Sequence, residues 1–178
     1  MTETLDPPDR AAWRAWLASH HADRREIWLI LHRGESAPLT YLDAVEEGLC
    51  FGWIDGIQKK LDATRAAQRF TPRRRNSHWT ELNKERARRL IAAGLMTEAG
   101  HATLPDLSPE AFRIAPDILA ALQSDPQTWA NFQAFPEVYR RIRVGYIEEM
   151  RRQPAVFQTR LANFLRRTRQ NRMFGTLE

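Results

Sequence analysis

Apolar residues recur along this chain with two different periods, and the change between them divides it. Near the start, RAAWRAWLASHH sets Ala12, Trp13, Trp16 and Leu17 on one helical face, with Asp9 placed to cap the helix. The run EIWLILHR, residues 26–33, is short, continuous and rich in β-preferring side chains. It predicts a buried strand, followed by a turn at GESAP. Thr40 and Asp43 form T-x-x-D, a relative of the capping box, which predicts a helix over residues 41–49. Residues 53–61 and 66–73 read as two strands joined by a turn over residues 62–65. Ser77 or Thr80 then caps a helix that closes at Gly94, and MTEAGHATL gives one more short helix.

From Leu104 the pattern changes. LPDLSPEAFRIAPD holds three prolines and reads as a linker. Everything after it has helical period. Pro116 opens one helix, and Asp125-Pro126 opens a second that carries Trp129 and Phe132. Pro136 opens a third, aligning Tyr139, Ile142, Tyr146 and Met150. After Pro154 the last helix repeats Phe157, Leu161, Phe164, Leu165 and Thr168 on one face, with Arg160, Arg166, Arg167 and Arg169 mostly off it. The expected fold class is therefore α+β. A small antiparallel sheet of about three strands packs with helices in residues 1–103, a Pro-rich linker spans 104–115, and an all-helical region fills 116–178.

Composition narrows the classes. A hydrophobic fraction of 43% with 28% charged residues belongs to a chain that folds rather than one that stays disordered. No apolar run approaches the roughly 20 residues a membrane-crossing helix needs, so no membrane insertion is expected. The single cysteine, Cys50, excludes an internal disulfide and suits a reducing compartment, and the acidic start MTETLDPPDR is unlike a secretory signal. A cytoplasmic location is the expectation. The net charge of +5 is laid out in blocks: −4 over residues 1–50, +6 over 51–100, −3 over 101–135 and +6 over 136–178. Such blocks give a face that attracts anions. Of the 27 basic residues only Lys59, Lys60 and Lys84 are lysines, an arginine bias that a GC-rich genome would also produce.

The hairpin concentrates the candidate chemistry. In FTPRRR, alternation points Arg69, Thr71 and Arg73 to one face and Gln68, Phe70 and Pro72 to the other. A four-residue loop would set Leu61 opposite Ala66, Gln58 opposite Arg69, Gly56 opposite Thr71 and Ile54 opposite Arg73, with Ile57 facing Phe70. Gly56 would then leave open space over Thr71 between two guanidinium groups. Arg74 and Arg75 lead to the start of the next helix, where unpaired N–H groups favour anions. The competing reading is structural, with Asp55 and Asp62 pairing these arginines and locking the hairpin.

Other candidates are weaker. Cys50 lies in an apolar context after a helix, which suits packing rather than a nucleophile. The five histidines show no metal-ligand spacing, and no nucleotide-binding glycine loop or G-x-S-x-G is present. No metal, cofactor or catalytic residue is assigned. Asp55, beside Trp53 in its strand, is the one acid placed for proton transfer.

The run LTYLDAVEEGLCFGWIDG, then LD, then RFTPRR with a nearby S-x-W, then NKERARRLIAAGLMTEAG, resembles the YdeI/OmpD-associated family, also labelled bacteriocin-protection or OmdA-like. These motifs cover residues 39–100, and YIEE at 146–149 with TR at 159–160 is similar to the family's helical C-terminal region. The chain departs from the usual pattern at Arg75, Asn76 and His78 and around residues 154–157. The resemblance implies an accessory role linked to envelope stress or bacteriocin protection, with no agreed reaction. It carries the family's polar and aromatic signature onto Trp53, Asp55, Gly56, Asp62, Arg69, Thr71, Pro72, Arg73, Arg74, Ser77 and Trp79. The expected ligand-binding residues are Trp53, Asp55, Gly56, Arg69, Thr71, Arg73, Arg74, Ser77 and Trp79, with a small anion or phosphate group as ligand. Two alternatives stay open: a nucleic-acid binder using this loop with the basic face of the last helix, and a small enzyme using Asp55.

Overall fold

The apolar run IWLILH becomes β2 (Ile27–His32), with both faces buried except at its last residue. Burial on both sides is what a central strand requires. In this computed structural model, which describes residues 1–34 and 37–175, β2 is flanked by β1 (Thr4–Leu5), in parallel, and by β4 (Arg65–Pro72), antiparallel. β3 (Trp53–Lys60) pairs antiparallel with β4 and forms the sheet edge, giving the order β1-β2-β4-β3. The sheet is thus four-stranded and mixed rather than about three-stranded and antiparallel. The additional strand is two residues long and sits in the polar N-terminus, where no hydrophobic pattern marks it. The turn expected at GESAP includes residues 35 and 36, which lie outside the described residues.

The chain forms two compact units, residues 1–78 with 86–105 and residues 79–85 with 106–178. In the first, α1 (Arg10–His20) is capped by Asp9, whose Oδ1 accepts the Ala12 N–H at 2.7 Å. α2 (Tyr41–Cys50) opens on a full capping box between Thr40 and Asp43. Trp13 lies 5.4 Å from Phe70 on β4 and donates its indole N–H to the Ala44 carbonyl at 3.1 Å. Gly48 permits this close packing, since a Cβ there would stand 3.1 Å from the Phe70 ring. α2 ends at a turn through Gly52, whose φ of +71° lies in the left-handed region that glycine enters without steric cost. α3 (Glu81–Ala92) and α4 (Glu98–His101) follow, and Gly94 closes the former at φ +68°.

The second unit is helical. After a 3-10 turn at Pro109–Ala111 come α5 (Pro116–Gln123), α6 (Pro126–Ala134), α7 (Glu137–Glu148) and α8 (Pro154–Arg169). Proline opens α5, α6 and α8, and Asp125 caps α6 by accepting the Thr128 N–H at 2.8 Å. The expected face of α8 is buried at Phe157, Leu161, Phe164 and Thr168. Phe157, Leu161 and Phe164 join Phe132, Phe135 and Tyr139 in an aromatic core, with Phe132 and Phe164 edge to face at 6.1 Å. Each fully buried ring contributes roughly 2 kcal/mol of apolar burial. No helix of the described residues is long and apolar enough to cross a membrane.

Candidate functional site

Asp62 sets the tip of the β3–β4 hairpin. Its Oδ1 accepts the N–H groups of Thr64 and Arg65, each at 2.8 Å, and its Oδ2 accepts the Arg65 Nε–H at 2.8 Å. These bonds, the Thr64 N–H foremost, hold the Asp62 carboxyl well below the usual carboxylate range. The loop consequently starts one residue earlier than expected, and Lys60 rather than Leu61 pairs with Ala66. A bulge then intervenes, with Gly56 and Ile57 together facing Arg69 alone. Buried Gln68 accounts for it: its Nε2 donates to the Gly56 carbonyl at 2.8 Å, and its Oε1 accepts from Gln58 Nε2 at 3.1 Å. Beyond the bulge Ile54 lies across from Thr71 and Asp55 across from Phe70. The expected pairings of Gln58 with Arg69, Gly56 with Thr71 and Ile54 with Arg73 are therefore replaced. Ile57, expected against Phe70, is 59% exposed.

The arginines of the motif go to different places. Arg69 pairs with Glu26, donating through Nε at 2.8 Å and through Nη2. Hydrogen bonds from Thr2 and from Arg69 hold the Glu26 carboxyl below its ordinary value. Neither Asp55 nor Asp62 takes Arg69. Arg73 turns inward just past Pro72 and is only 8% exposed. Its N–H donates to the Gly52 carbonyl at 2.8 Å and its Nη1 to the His78 carbonyl at 3.2 Å. Burial pulls the Arg73 guanidinium down to about 10, against the attraction of Asp55. Arg74 is exposed, its N–H donating to Ser77 Oγ at 3.0 Å while the Ser77 N–H returns to the Arg74 carbonyl at 2.9 Å.

Asp55 is the centre of the cluster. Its Oδ2 accepts the Tyr41 hydroxyl at 2.6 Å, and its charge acts on both Arg73 and Arg86. Burial, then the bond to Asp55, pushes the Tyr41 phenol up. Arg86, 9% exposed, is pulled down by burial against the attraction of Tyr41, Glu46 and Asp55. Sequence reasoning missed Tyr41 and Arg86. A signal for Arg86 existed, because it shares the buried stripe of α3 with Ala87 and Leu90, where a cation is costly unless compensated.

The remaining expected residues are placed as follows. Trp53 is a fully buried support, edge-on to Trp16 at 5.8 Å, with its indole N–H on the His21 carbonyl at 3.2 Å. Thr71 is half-buried, while Gly56 is exposed within the bulge. Trp79 is half-buried and belongs to the helical unit. Of the two cap candidates it is Thr80 whose Oγ1 accepts the Asn83 N–H, at 3.1 Å, at the start of α3. Cys50 is fully buried, and that burial pushes its thiol up. Among the described residues no group of His, Cys, Asp or Glu could hold a metal ion. In the helical unit, Tyr146 carries the Arg160 guanidinium 3.5 Å from its ring centroid and that of Arg143 at 5.7 Å, beside a cavity of about 200 Å³ that Thr159 also lines.

Fold and cluster define an arginine-rich α+β protein with a helical C-terminal region, in which one carboxylate stands near two buried guanidiniums. The chain belongs to the family described as domain of unknown function (DUF8412), whose model matches residues 5–103, over half its length. Residues 111–171 match a second family, described as Bacteriocin-protection, YdeI or OmpD-Associated, which bears out the resemblance read from the sequence. The motifs at residues 39–100 fall in the first span, and those at 146–149 and 159–160 fall in the second. No curated protein and no solved structure matches the chain.

Proposed function

We propose that this protein is a cytoplasmic binding or accessory protein of the YdeI/OmpD-associated kind, serving bacteriocin protection or envelope stress. Its ligand is a small anion bearing a phosphate or carboxylate, held at the root of the hairpin. The observation that carries this reading is the burial of Arg73 and Arg86 near Asp55. A cation stripped of water gains from added negative charge, and an anion entering here would supply it. Thr71, Arg73, Arg74 and Ser77 are the residues to meet it. Tyr41 holds Asp55 in place, and exposed Arg75 adds steering charge beside Arg74. Arg69, tied to Glu26, serves the sheet in this reading.

The alternatives draw less support. A base at Asp55 would have to act through Oδ1, because its Oδ2 accepts the Tyr41 hydroxyl. For a nucleic-acid face on α8, Arg160 would have to leave Tyr146, and Arg166 and Arg167 would have to leave Asn163.

Thermal unfolding of the full chain against inorganic phosphate, sulfate and small carboxylates tests the reading. A saturable rise in Tm is expected, with apparent affinity weakened about tenfold or more in Arg74→Met and Arg73→Gln, the scale of one charge-assisted hydrogen bond. Absence of any saturable shift would overturn it. So would affinity that grows with oligonucleotide length and collapses with salt, which belongs to a nucleic-acid binder.

A further inference from the structure

The helical unit holds a second cavity, of about 420 Å³, within the range of roughly 300–1,000 Å³ common for small-molecule sites. Phe112, Ile114, Leu119 and Phe132 give it an apolar wall. Its charged lining is Arg113, Arg140, Arg141 and Glu137. These charges do not cancel. Arg141 is answered by Glu137 at 2.9 Å and Glu85 at 3.0 Å. Arg140 lies over the Phe132 ring at 5.6 Å, and its buried Nε–H has no acceptor. Arg113 donates only to the Phe112 carbonyl, at 3.1 Å. Among the described residues neither Arg113 nor Arg140 has a carboxylate partner, so two guanidiniums face an apolar pocket with positive charge to spare.

We propose that this cavity binds an organic monocarboxylate with an aromatic body. Its carboxylate meets Arg113 and Arg140, and its ring lies against Phe112, Ile114, Leu119 and Phe132. A planar guanidinium fork matches a carboxylate, and the wall matches a ring. The hairpin root has no such wall in its proposed ligand set, and this site stands whether or not the hairpin binds an anion.

Phenylacetate titrated into the full chain by calorimetry provides the test, with phenylacetamide as the neutral counterpart. Saturable one-to-one binding of phenylacetate is expected, with phenylacetamide at least about tenfold weaker. Arg140→Met and Arg113→Met should each weaken phenylacetate about tenfold, Leu119→Trp should block it, and Arg74→Met at the hairpin should leave it unchanged. Trp129, stacked on Phe132 at 5.7 Å, offers a fluorescence readout of the same event. Because Arg113 is exposed, its variant decides the matter if Arg140→Met fails to fold. The proposal is overturned by absence of saturation, by equal binding of the amide, or by phenylacetate binding that Arg113→Met does not alter. Loss of the phosphate-induced Tm shift with phenylacetate binding intact would sink the hairpin reading alone.

Discussion

In the sheet-bearing unit Arg10 and Arg14 each reach Glu47 at 2.6 Å, and Glu47 is only 3% exposed. In the helical unit, by contrast, Arg160 lies 3.5 Å from the centroid of Tyr146, Arg151 4.6 Å from that of Phe157 and Arg167 4.8 Å from that of Phe174. Both units are rich in arginine, but they accommodate it by different physics. Glu47 is the buried carboxylate among the described residues, while the buried charged residues of the helical unit are Arg141 and Arg143. One unit meets guanidinium with opposite charge, where desolvation offsets much of the attraction. The other more often adds aromatic faces, worth about 0.5–2 kcal/mol each, to its ion pairs; in the first, Arg14 lies over Phe51 at 5.2 Å. Ion pairs are present in the helical unit too: Arg141 is held by Glu137 and Glu85, Arg151 by Asp117 and Glu148, and Arg169 lies 3.8 Å from Asp125.

This contrast can be broken by measurement, and the largest effect is expected in the aromatic core. Phe164→Ala should cost about 3–5 kcal/mol in urea unfolding, with no dependence on sodium chloride. A salt-dependent loss would show that charge, not ring packing, holds the helical core. Glu47→Ala should cost about 3 kcal/mol, because it removes the carboxylate that holds Arg14 and one of the three that hold Arg10. That gap should narrow as salt rises, since Arg10 and Arg14 are each about a third exposed. A gap that salt leaves unchanged would argue that Glu47 acts by packing.

Tyr41→Phe comes next, at about 1 kcal/mol for one hydrogen bond to a carboxylate. The smallest effect is at Asp62. Its folded value lies below its unfolded one, so the stability it contributes is fully present above the ordinary carboxylate range and is lost as pH falls through the lowered folded value. Asp62→Asn should therefore lower stability modestly at neutral pH, flatten the acid limb of the stability curve and converge with the parent chain at low pH. An unchanged acid limb would mean that the tip does not titrate with folding.

Legibility followed the reach of each signal. The Thr40–Asp43 capping box, the Asp9 cap, strand β2 and the apolar face of α8 are local patterns, and each stands where the sequence put it. The hairpin was legible as two strands but not in its register. One buried amide, Gln68, and one carboxylate at the tip displaced the pairing by inserting a bulge and moving the loop. The candidate cluster was half visible. Asp55 and Arg73 lie in the motif, whereas Tyr41 and Arg86 come from helices whose approach no local spacing encodes. The Arg69–Glu26 pair was equally hidden, since it joins β4 to the residue just before β2, far off in sequence.

The bulge in β3 also bears on how this molecule avoids sticking to itself. That strand is the outer margin of the sheet, and an even margin is an invitation to a neighbouring chain. Here the break in the ladder falls just before Lys59 and Lys60, two of the three lysines in the chain, both exposed. Kinked backbone and two adjacent ammonium groups disfavour the addition of a further strand along that edge.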